Sequence, residues 1–181
     1  MEEQFVNILD QDERVEVVYK PKKVKLFLGN MLLSALIMLF ICLPIAFAIA
    51  TDEYEGAKAV HYLIPVGIFV ASQIITALFL VLKYQKTFYA ITNKRVIIRT
   101  GIVGVDFKSL DLGNIGATDV YVGLLDKILG NKTGSICFGS ASSPLNSQNS
   151  NAYAFRHVEN PYQTYKEIKL KIDEYKNDKA Q

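Results

Sequence analysis

Cysteine and histidine are scarce in this chain, with two residues of each among 181. Cys42 lies within a long apolar run and Cys137 lies far from it in sequence, so we expect no disulfide between them. His61 and His157 fall on separate segments, and no group of cysteines and histidines has the spacing of a metal site. The sequence therefore shows no recognisable pattern of metal-dependent or nucleophilic catalysis, and we expect no enzyme, no metal and no cofactor.

Charged residues are missing from two long apolar runs, at residues 26–50 and 59–82. About 20 apolar residues in a helix cross the hydrocarbon core of a bilayer, so each run is long enough to span it. Apart from His61 near one end, neither run contains an acid, a lysine, an arginine or a histidine. Proton and ion pathways usually need such groups near the middle of the membrane. The two runs therefore predict an anchor and not a conduit.

Lysines flank the two runs on their outer sides, whereas the connection at 51–58 carries three acids and one lysine. An excess of lysine and arginine marks the cytoplasmic side of a membrane protein. We therefore expect a two-pass hairpin in the inner membrane, with both termini in the cytoplasm. The flanking lysines are Lys20, Lys22, Lys23, Lys25, Lys83 and Lys86.

Ser72 and Gln73 are neighbouring polar residues within the second run. Gly67 and Ala71 lie four positions apart nearby, a spacing of small residues that lets two helices approach closely. We interpret Ser72 and Gln73 as polar residues of a helix interface. A role at an interface with other subunits of a transport or export complex is the alternative.

Short β-rich runs separated by turn residues follow the second apolar run. A segment rich in serine and asparagine at 140–151 predicts a loop. Asn160 can cap a final helix and Pro161 suits its first turn, and apolar residues then recur every three or four positions. The predicted fold is an α-helical membrane hairpin plus an α+β domain, an antiparallel sandwich or partly open barrel with a C-terminal helix. The predicted strands lie at 87–92, 95–100, 105–112, 115–122, 135–139 and 152–158.

Residues 1–25 form an N-terminal segment in which Val15–Tyr19 alternates like a short strand. Because this segment and the C-terminal domain lie on the same predicted side of the membrane, the strand can join the domain's sheet. The predicted organisation is a cytoplasmic segment at 1–25, a transmembrane hairpin at 26–82 and a cytoplasmic domain at 83–181.

Four stretches follow one another in an order typical of a known family: FYAITNKRVII at 88–98, the turn at Gly101, LLDKILG at 124–130 and GSI at 134–136. Together they resemble the bacterial pleckstrin-homology-like domain, of the type that lies next to a pair of membrane helices. The resemblance extends over residues 14–175. It implies a pleckstrin-homology-like fold, membrane attachment and no known catalytic centre, and it supplies neither a ligand nor a set of binding residues.

Basic residues recur near the membrane-proximal end and the turns of the predicted domain. Arg95 and Arg99 share one face of a strand, which suits either a clamp for phosphate or carboxylate or a solvated sheet face. Each cation near an anionic leaflet contributes about 1 kcal/mol. The candidate contact residues are Lys83, Lys86, Lys94, Arg95, Arg99, Lys108, Lys127 and Lys132.

These residues favour a non-catalytic, membrane-anchored module that binds a protein partner, an anionic lipid or a second copy of itself at the cytoplasmic face. Nucleic acid is disfavoured as a partner because acids are mixed among the basic residues. An accessory subunit of a membrane transport or export complex is the alternative function.

Overall fold

The computed structural model describes residues 4–51, 59–128, 133–145 and 153–180. The predicted acidic connection, apart from Thr51, lies outside these residues, as do Lys132 and much of the predicted 140–151 loop. The described strands are β1 Val15–Tyr19, β2 Phe88–Thr92, β3 Arg95–Thr100, β4 Asp106–Asp111, β5 Ala117–Tyr121, β6 Thr133–Gly139 and β7 Ala154–Glu159. The described α-helices are α1 Lys23–Thr51, α2 Ala59–Lys86, α3 Leu124–Ile128 and α4 Pro161–Ala180.

Helices α1 and α2 pack against each other and are both long and apolar enough to cross a membrane. The most apolar part of α1 has none of its residues buried in the protein, and only 11% of the corresponding part of α2 is buried. A core helix of a soluble protein would be mostly buried. The hairpin instead presents its apolar side chains outward.

The strands form two antiparallel sheets, one in the order β1-β2-β3-β4 and the other in the order β5-β6-β7. In the first sheet β1 pairs with β2, and Tyr19 lies opposite Tyr89. The hairpin is therefore inserted between two neighbouring strands, and both of its helices leave the same end of the sheet. The three-stranded meander β2-β3-β4 agrees with the tight turns expected from the sequence.

The main hydrophobic core lies between the two sheets and α4. Ile168 and Ile172 bring the apolar face of α4 into it, as the helical spacing predicts. Phe155 of β7 stacks on Tyr89 of β2 with ring centroids 4.8 Å apart. The remaining buried members are Ile91, Val96, Ile98, Leu110, Leu112, Ile115, Ile136, Phe138 and Val158.

A second, smaller core covers the other face of the first sheet. Phe5, fully buried in the N-terminal segment, packs with Phe88, Ala90 and Ile97. Residues of this segment form one short 3-10 turn at Val6–Ile8. The predicted fold class, an apolar helical hairpin with an antiparallel α+β sandwich and a C-terminal helix, is confirmed.

Candidate functional site

A cavity of about 320 Å³ lies where the hairpin meets the domain. Leu26 at the start of α1 and Lys83 near the end of α2 form one wall. Strands β4 and β7, the edge strands of the two sheets, contribute Lys108 and Arg156. Tyr89 also lines it, and its hydroxyl donates to the Arg156 carbonyl at 3.2 Å. The cavity is thus an opening between two sheet edges, closed on one side by the apolar helices.

Two consecutive residues of β7, Arg156 and His157, both line this cavity. Neighbouring residues of a regular strand point to opposite faces. Here the pairing of β6 with β7 is irregular between Gly134 and Ile136, and His157 has a φ of 57°. Such a bulge re-aims side chains, and a non-glycine residue in this conformation costs of order 1–3 kcal/mol. The bulge therefore explains how one strand supplies two polar groups to the same cavity.

The cavity carries positive charge. Lys83, Lys108 and Arg156 line it without an acid among the lining residues, and none of the three forms an ion pair within the described part of the chain. Burial lowers the pKa of His157, and the charges of Lys25, Arg156 and Lys83 lower it further, while Asp126 opposes them. His157 is therefore neutral at pH 7, and three cations face the cavity.

The structure brings together only part of the basic set predicted from the sequence. Lys83 and Lys108 line the cavity. Lys86 instead donates to the carbonyls of Ile102 and Val103, both at 2.8 Å. Lys94 lies in the turn at the far end of β3, in a depression that it shares with acids, and Lys127 is exposed on α3. Lys132 is outside the described residues.

Arg95 and Arg99 do not form the clamp that their spacing allows. The Nε of Arg95 donates to Oε1 of Glu13 at 2.9 Å, and its Nη2 donates to Oε2 at 2.7 Å. The Arg99 guanidinium lies over the rings of Phe88 and Phe107, at 5.6 and 6.0 Å from their centroids. Arg95 is therefore already paired with a carboxylate of its own chain and is not free to clamp an external anion.

Glu13 itself is almost fully buried. Burial alone would raise its pKa, but hydrogen bonds from Arg95, Thr92 and the Asp10 amide outweigh this effect and hold the pKa below its ordinary value. This acid joins the N-terminal segment to the sheet. No local pattern marks this pair, because its members lie 82 positions apart.

Gln73 lies between α1 and α2, where its partner is Ser34 of the same chain. The Ser34 hydroxyl of α1 donates to Oε1 of Gln73 at 3.1 Å. Ser72 donates to the Phe69 carbonyl of its own helix at 2.7 Å. The first bond joins α1 to α2, whereas the second satisfies the Ser72 hydroxyl within its own helix.

A buried ion pair fixes the start of α1 to the domain. Nζ of Lys25 lies 2.9 Å from Oδ1 of Asp126, which precedes β6. Asp126 also accepts from the Gly123 amide at 3.1 Å and from the hydroxyl of Thr133. Burial alone would raise the pKa of Asp126, but these hydrogen bonds and the nearby Lys25 charge lower it. The Lys25–Asp126 ion pair thus connects the hairpin to the domain in addition to the covalent chain.

Arg156 and His157 are the cavity residues that sequence reasoning missed. The alternation of residues 152–158 indicated a regular strand, with His157 packed or at an edge. No local pattern marks the bulge, because it arises from pairing with β6. Among the described residues, no group of three or more His, Cys, Asp and Glu side chains could hold a metal ion.

Comparison with known proteins adds one family and one solved structure. The model of the family described as "Bacterial PH domain" matches residues 24–171. No curated protein matches the chain. The chain is also similar to the crystal structure of a DUF1696 family protein with a pleckstrin-homology domain from Shewanella loihica. That match has 10% identity and a TM-score of 0.35, and it covers 79% of this chain and 71% of the other. Because the family model matches most of its length, the chain belongs to the bacterial pleckstrin-homology (PH) domain family.

Proposed function

We propose that this protein is a non-catalytic PH-domain module, anchored in the inner membrane by α1 and α2, that binds a phosphate-bearing anionic lipid headgroup at the cytoplasmic face. The observation that carries the proposal is a cavity of about 320 Å³ at the base of an apolar hairpin, lined by three cations that form no ion pair with the described residues. Its volume lies within the range of ligand sites, roughly 300–1,000 Å³.

The outward apolar surface of the hairpin supports membrane insertion. Large side chains on both helices are exposed, among them Leu33 at 59%, Phe40 at 80% and Leu78 at 61%. Continuous exposed apolar surface of this kind marks a membrane or protein interface. The lysines at the start of α1 and the end of α2 favour an orientation with both termini in the cytoplasm.

The position of the cavity suits a lipid headgroup. Leu26 and Lys83 lie in the first and last turns of the two helices, which meet the headgroup layer once the hairpin is inserted. Leu26, Ile98 and Ala154 add apolar surface for the glycerol region of a lipid. Three cations at about 1 kcal/mol each give a preference for an anionic over a zwitterionic lipid of roughly 100-fold.

Headgroup binding here does not recruit the domain. Two membrane helices already hold the cavity at the bilayer surface, at high effective concentration of lipid. A bound headgroup would instead fix the orientation of the domain on the membrane or report the anionic lipid content. Either role requires binding and no covalent step.

The test uses the full chain in lipid nanodiscs that contain phosphatidylcholine and a small fraction of spin-labelled phosphatidylglycerol. The immobilised fraction of the label measures binding to the protein. Replacing two cavity cations, Lys108→Gln with Arg156→Gln, should weaken this binding roughly 30-fold, because about 2 kcal/mol of attraction is lost.

The matched control is Lys166→Gln with Lys169→Gln, which removes the same charge from the exposed face of α4. Equal weakening by the control pair would show a general charge effect and would refute the cavity as the site. A separate titration with inorganic phosphate, in nanodiscs of phosphatidylcholine alone, distinguishes a free anion from a headgroup. Tight binding of phosphate alone, with no preference for the labelled lipid, would reject the lipid.

A protein partner and an accessory role in transport are the competing functions. The bond between Ser34 and Gln73 satisfies within one chain the polar group that a transport interface would use. Gln73→Leu in cells should therefore leave export unchanged. Loss of export together with intact lipid binding would favour the transport function.

A further inference from the structure

The turn between β3 and β4 exposes a short apolar segment. Val103 at its tip is 91% exposed, Ile102 is 36% exposed and Val105 is 39% exposed. No charged residue lies between Arg99 and Asp106. Turns on the surface of a soluble domain are usually polar, so this turn resembles an interaction surface.

The turn lies beside the end of the hairpin. Lys86, the last residue of α2, donates from Nζ to the carbonyls of Ile102 and Val103 at 2.8 Å each. The turn is therefore within the length of one lysine side chain from the point at which the apolar helix ends. The turn at the opposite end of β3, which contains Lys94, is about 20 Å away along a strand that rises about 3.3 Å per residue.

Aromatic and basic side chains cluster at the end of the sheet where α2 meets β2 and the β3–β4 turn. Nζ of Lys20 lies 4.4 Å from the ring centroid of Tyr84 and 4.6 Å from that of Phe88. Phe107, 39% exposed, contacts the Arg99 guanidinium just after the turn. Tyrosine is enriched at membrane–water interfaces, and lysine and arginine are enriched on the cytoplasmic side of membrane helices.

Exposed apolar side chains lie on α2 shortly before the helix reaches the turn. Leu78, Phe79 and Leu82 are exposed by 61%, 50% and 43%, and the bonds from Lys86 place Ile102 and Val103 next to the end of the helix. A membrane that covers the end of α2 therefore comes within reach of the turn as well. This proximity points to lipid as the occupant of the turn's apolar surface.

We propose that the β3–β4 turn inserts Ile102, Val103 and Val105 into the boundary between headgroups and acyl chains, as a third membrane contact besides α1 and α2. The proposal rests on the membrane anchoring proposed above. Such an insertion reaches about 5–10 Å into the bilayer surface. Together with the hairpin it would hold the domain in one orientation, with the cationic cavity facing the headgroups.

The backbone of the β3–β4 turn is tightly closed, which leaves Val103 at its tip exposed. A Cβ atom at Gly101, whose φ is 158°, would lie 2.1 Å from the carbonyl oxygen of Gly104. The chain therefore closes on itself tightly at Gly101, and only glycine fits there. Gly104 has open space around its Cβ position. The tight closure projects Val103 away from the sheet.

The absence of tryptophan from the chain permits a direct test. Three single-tryptophan variants are compared in vesicles of phosphatidylglycerol and phosphatidylcholine, with and without bromine on the acyl chains, which quenches nearby tryptophan. Val103→Trp reports on the turn, Lys94→Trp on the opposite end of β3 and Phe79→Trp on the hairpin. Val103 makes few packing contacts at 91% exposure, so the substitution should not disturb folding.

Brominated lipid should reduce the emission of Val103→Trp about twofold, as expected for a residue within about 10 Å of the bilayer surface, and should leave Lys94→Trp unchanged. Phe79→Trp should be quenched more strongly than either. If Phe79→Trp is quenched while Val103→Trp is not, the turn lies in water and the inference is overturned, although membrane anchoring stands. If none of the three is quenched, membrane anchoring fails too.

Discussion

Replacing Asp126 by alanine should destabilise the protein far more than replacing its partner Lys25 by methionine. Lys25 and Asp126 are 6% and 8% exposed, and Asp126 is the one ion-pair partner of Lys25 among the described residues. Asp126 has two further partners, the Gly123 amide and the Thr133 hydroxyl. Asp126→Ala thus leaves the buried ammonium of Lys25 without a counter-charge. Lys25→Met, in contrast, leaves the Asp126 carboxylate with two hydrogen bonds.

The magnitudes follow from this difference in partners. Removing one member of a buried ion pair and leaving the other uncompensated costs about 3–5 kcal/mol. For Lys25→Met the remaining hydrogen bonds and the apolar replacement reduce the cost to roughly 1–3 kcal/mol. A chain of this length loses about 2–4 °C of melting temperature per kcal/mol, so Asp126→Ala should lower Tm by roughly 6–20 °C.

Thermal unfolding of the full chain in detergent, followed by circular dichroism, measures both single variants and the double variant. The double variant should cost less than the sum of the singles, because neither buried charge remains. Since the pKa of Asp126 is lowered in the folded protein, its stabilising effect is complete above the ordinary value of 3.8. The effect is lost as pH falls through the lower folded value.

The difference in Tm between the parent protein and Asp126→Ala should therefore be constant near neutral pH and shrink only in strong acid. Equal costs for the two single variants, or a cost below about 1 kcal/mol for Asp126→Ala, would refute the buried pair as the link between α1 and the domain.

Three further predictions concern other parts of the molecule. Glu13→Ala removes the carboxylate to which the Arg95 guanidinium donates. Because this loses about 1.5–3 kcal/mol of local stability, amide exchange in the N-terminal segment, measured by mass spectrometry, should accelerate roughly 10- to 100-fold. Lipid binding in nanodiscs should strengthen in acid, because a bound phosphate favours protonation of His157, which burial otherwise keeps neutral by holding its pKa below the ordinary value. His157→Gln should abolish this dependence. Gly101→Ala should lower Tm by several degrees, whereas Gly104→Ala, which meets open space, should change the free energy of unfolding by no more than about 1 kcal/mol.

Local patterns in the sequence predicted most of the elements. The strand expected at 95–100 is observed as Arg95–Thr100, and the one at 105–112 as Asp106–Asp111. The helix that begins at Pro161 also agrees, because capping and apolar spacing act within a few residues. Element type depends on such short-range interactions, and for that reason it can be read from one sequence.

The candidate site could be predicted only in part. Lys83 and Lys108 were named, but Arg156 and His157 enter the cavity through a bulge that depends on the pairing of β7 with β6. The sequence leaves Arg95 open as part of an anion clamp or of a solvated sheet face, because Glu13, on the N-terminal segment, gives no local sign of reaching it. Each of these features depends on a contact between residues distant in sequence.

The sequence by itself determined two helices, each with a long uncharged apolar stretch, and most strands of a small antiparallel domain, since length, hydropathy and strand alternation are local properties of the chain. The tertiary structure alone decided which cations are already paired and which are free, because ion pairing depends on distances between segments far apart in sequence. The folded chain placed three cations around one cavity beside the hairpin, and none of them forms an ion pair among the described residues. The meeting of hairpin and sheet edges creates that cavity, and no single segment contains it.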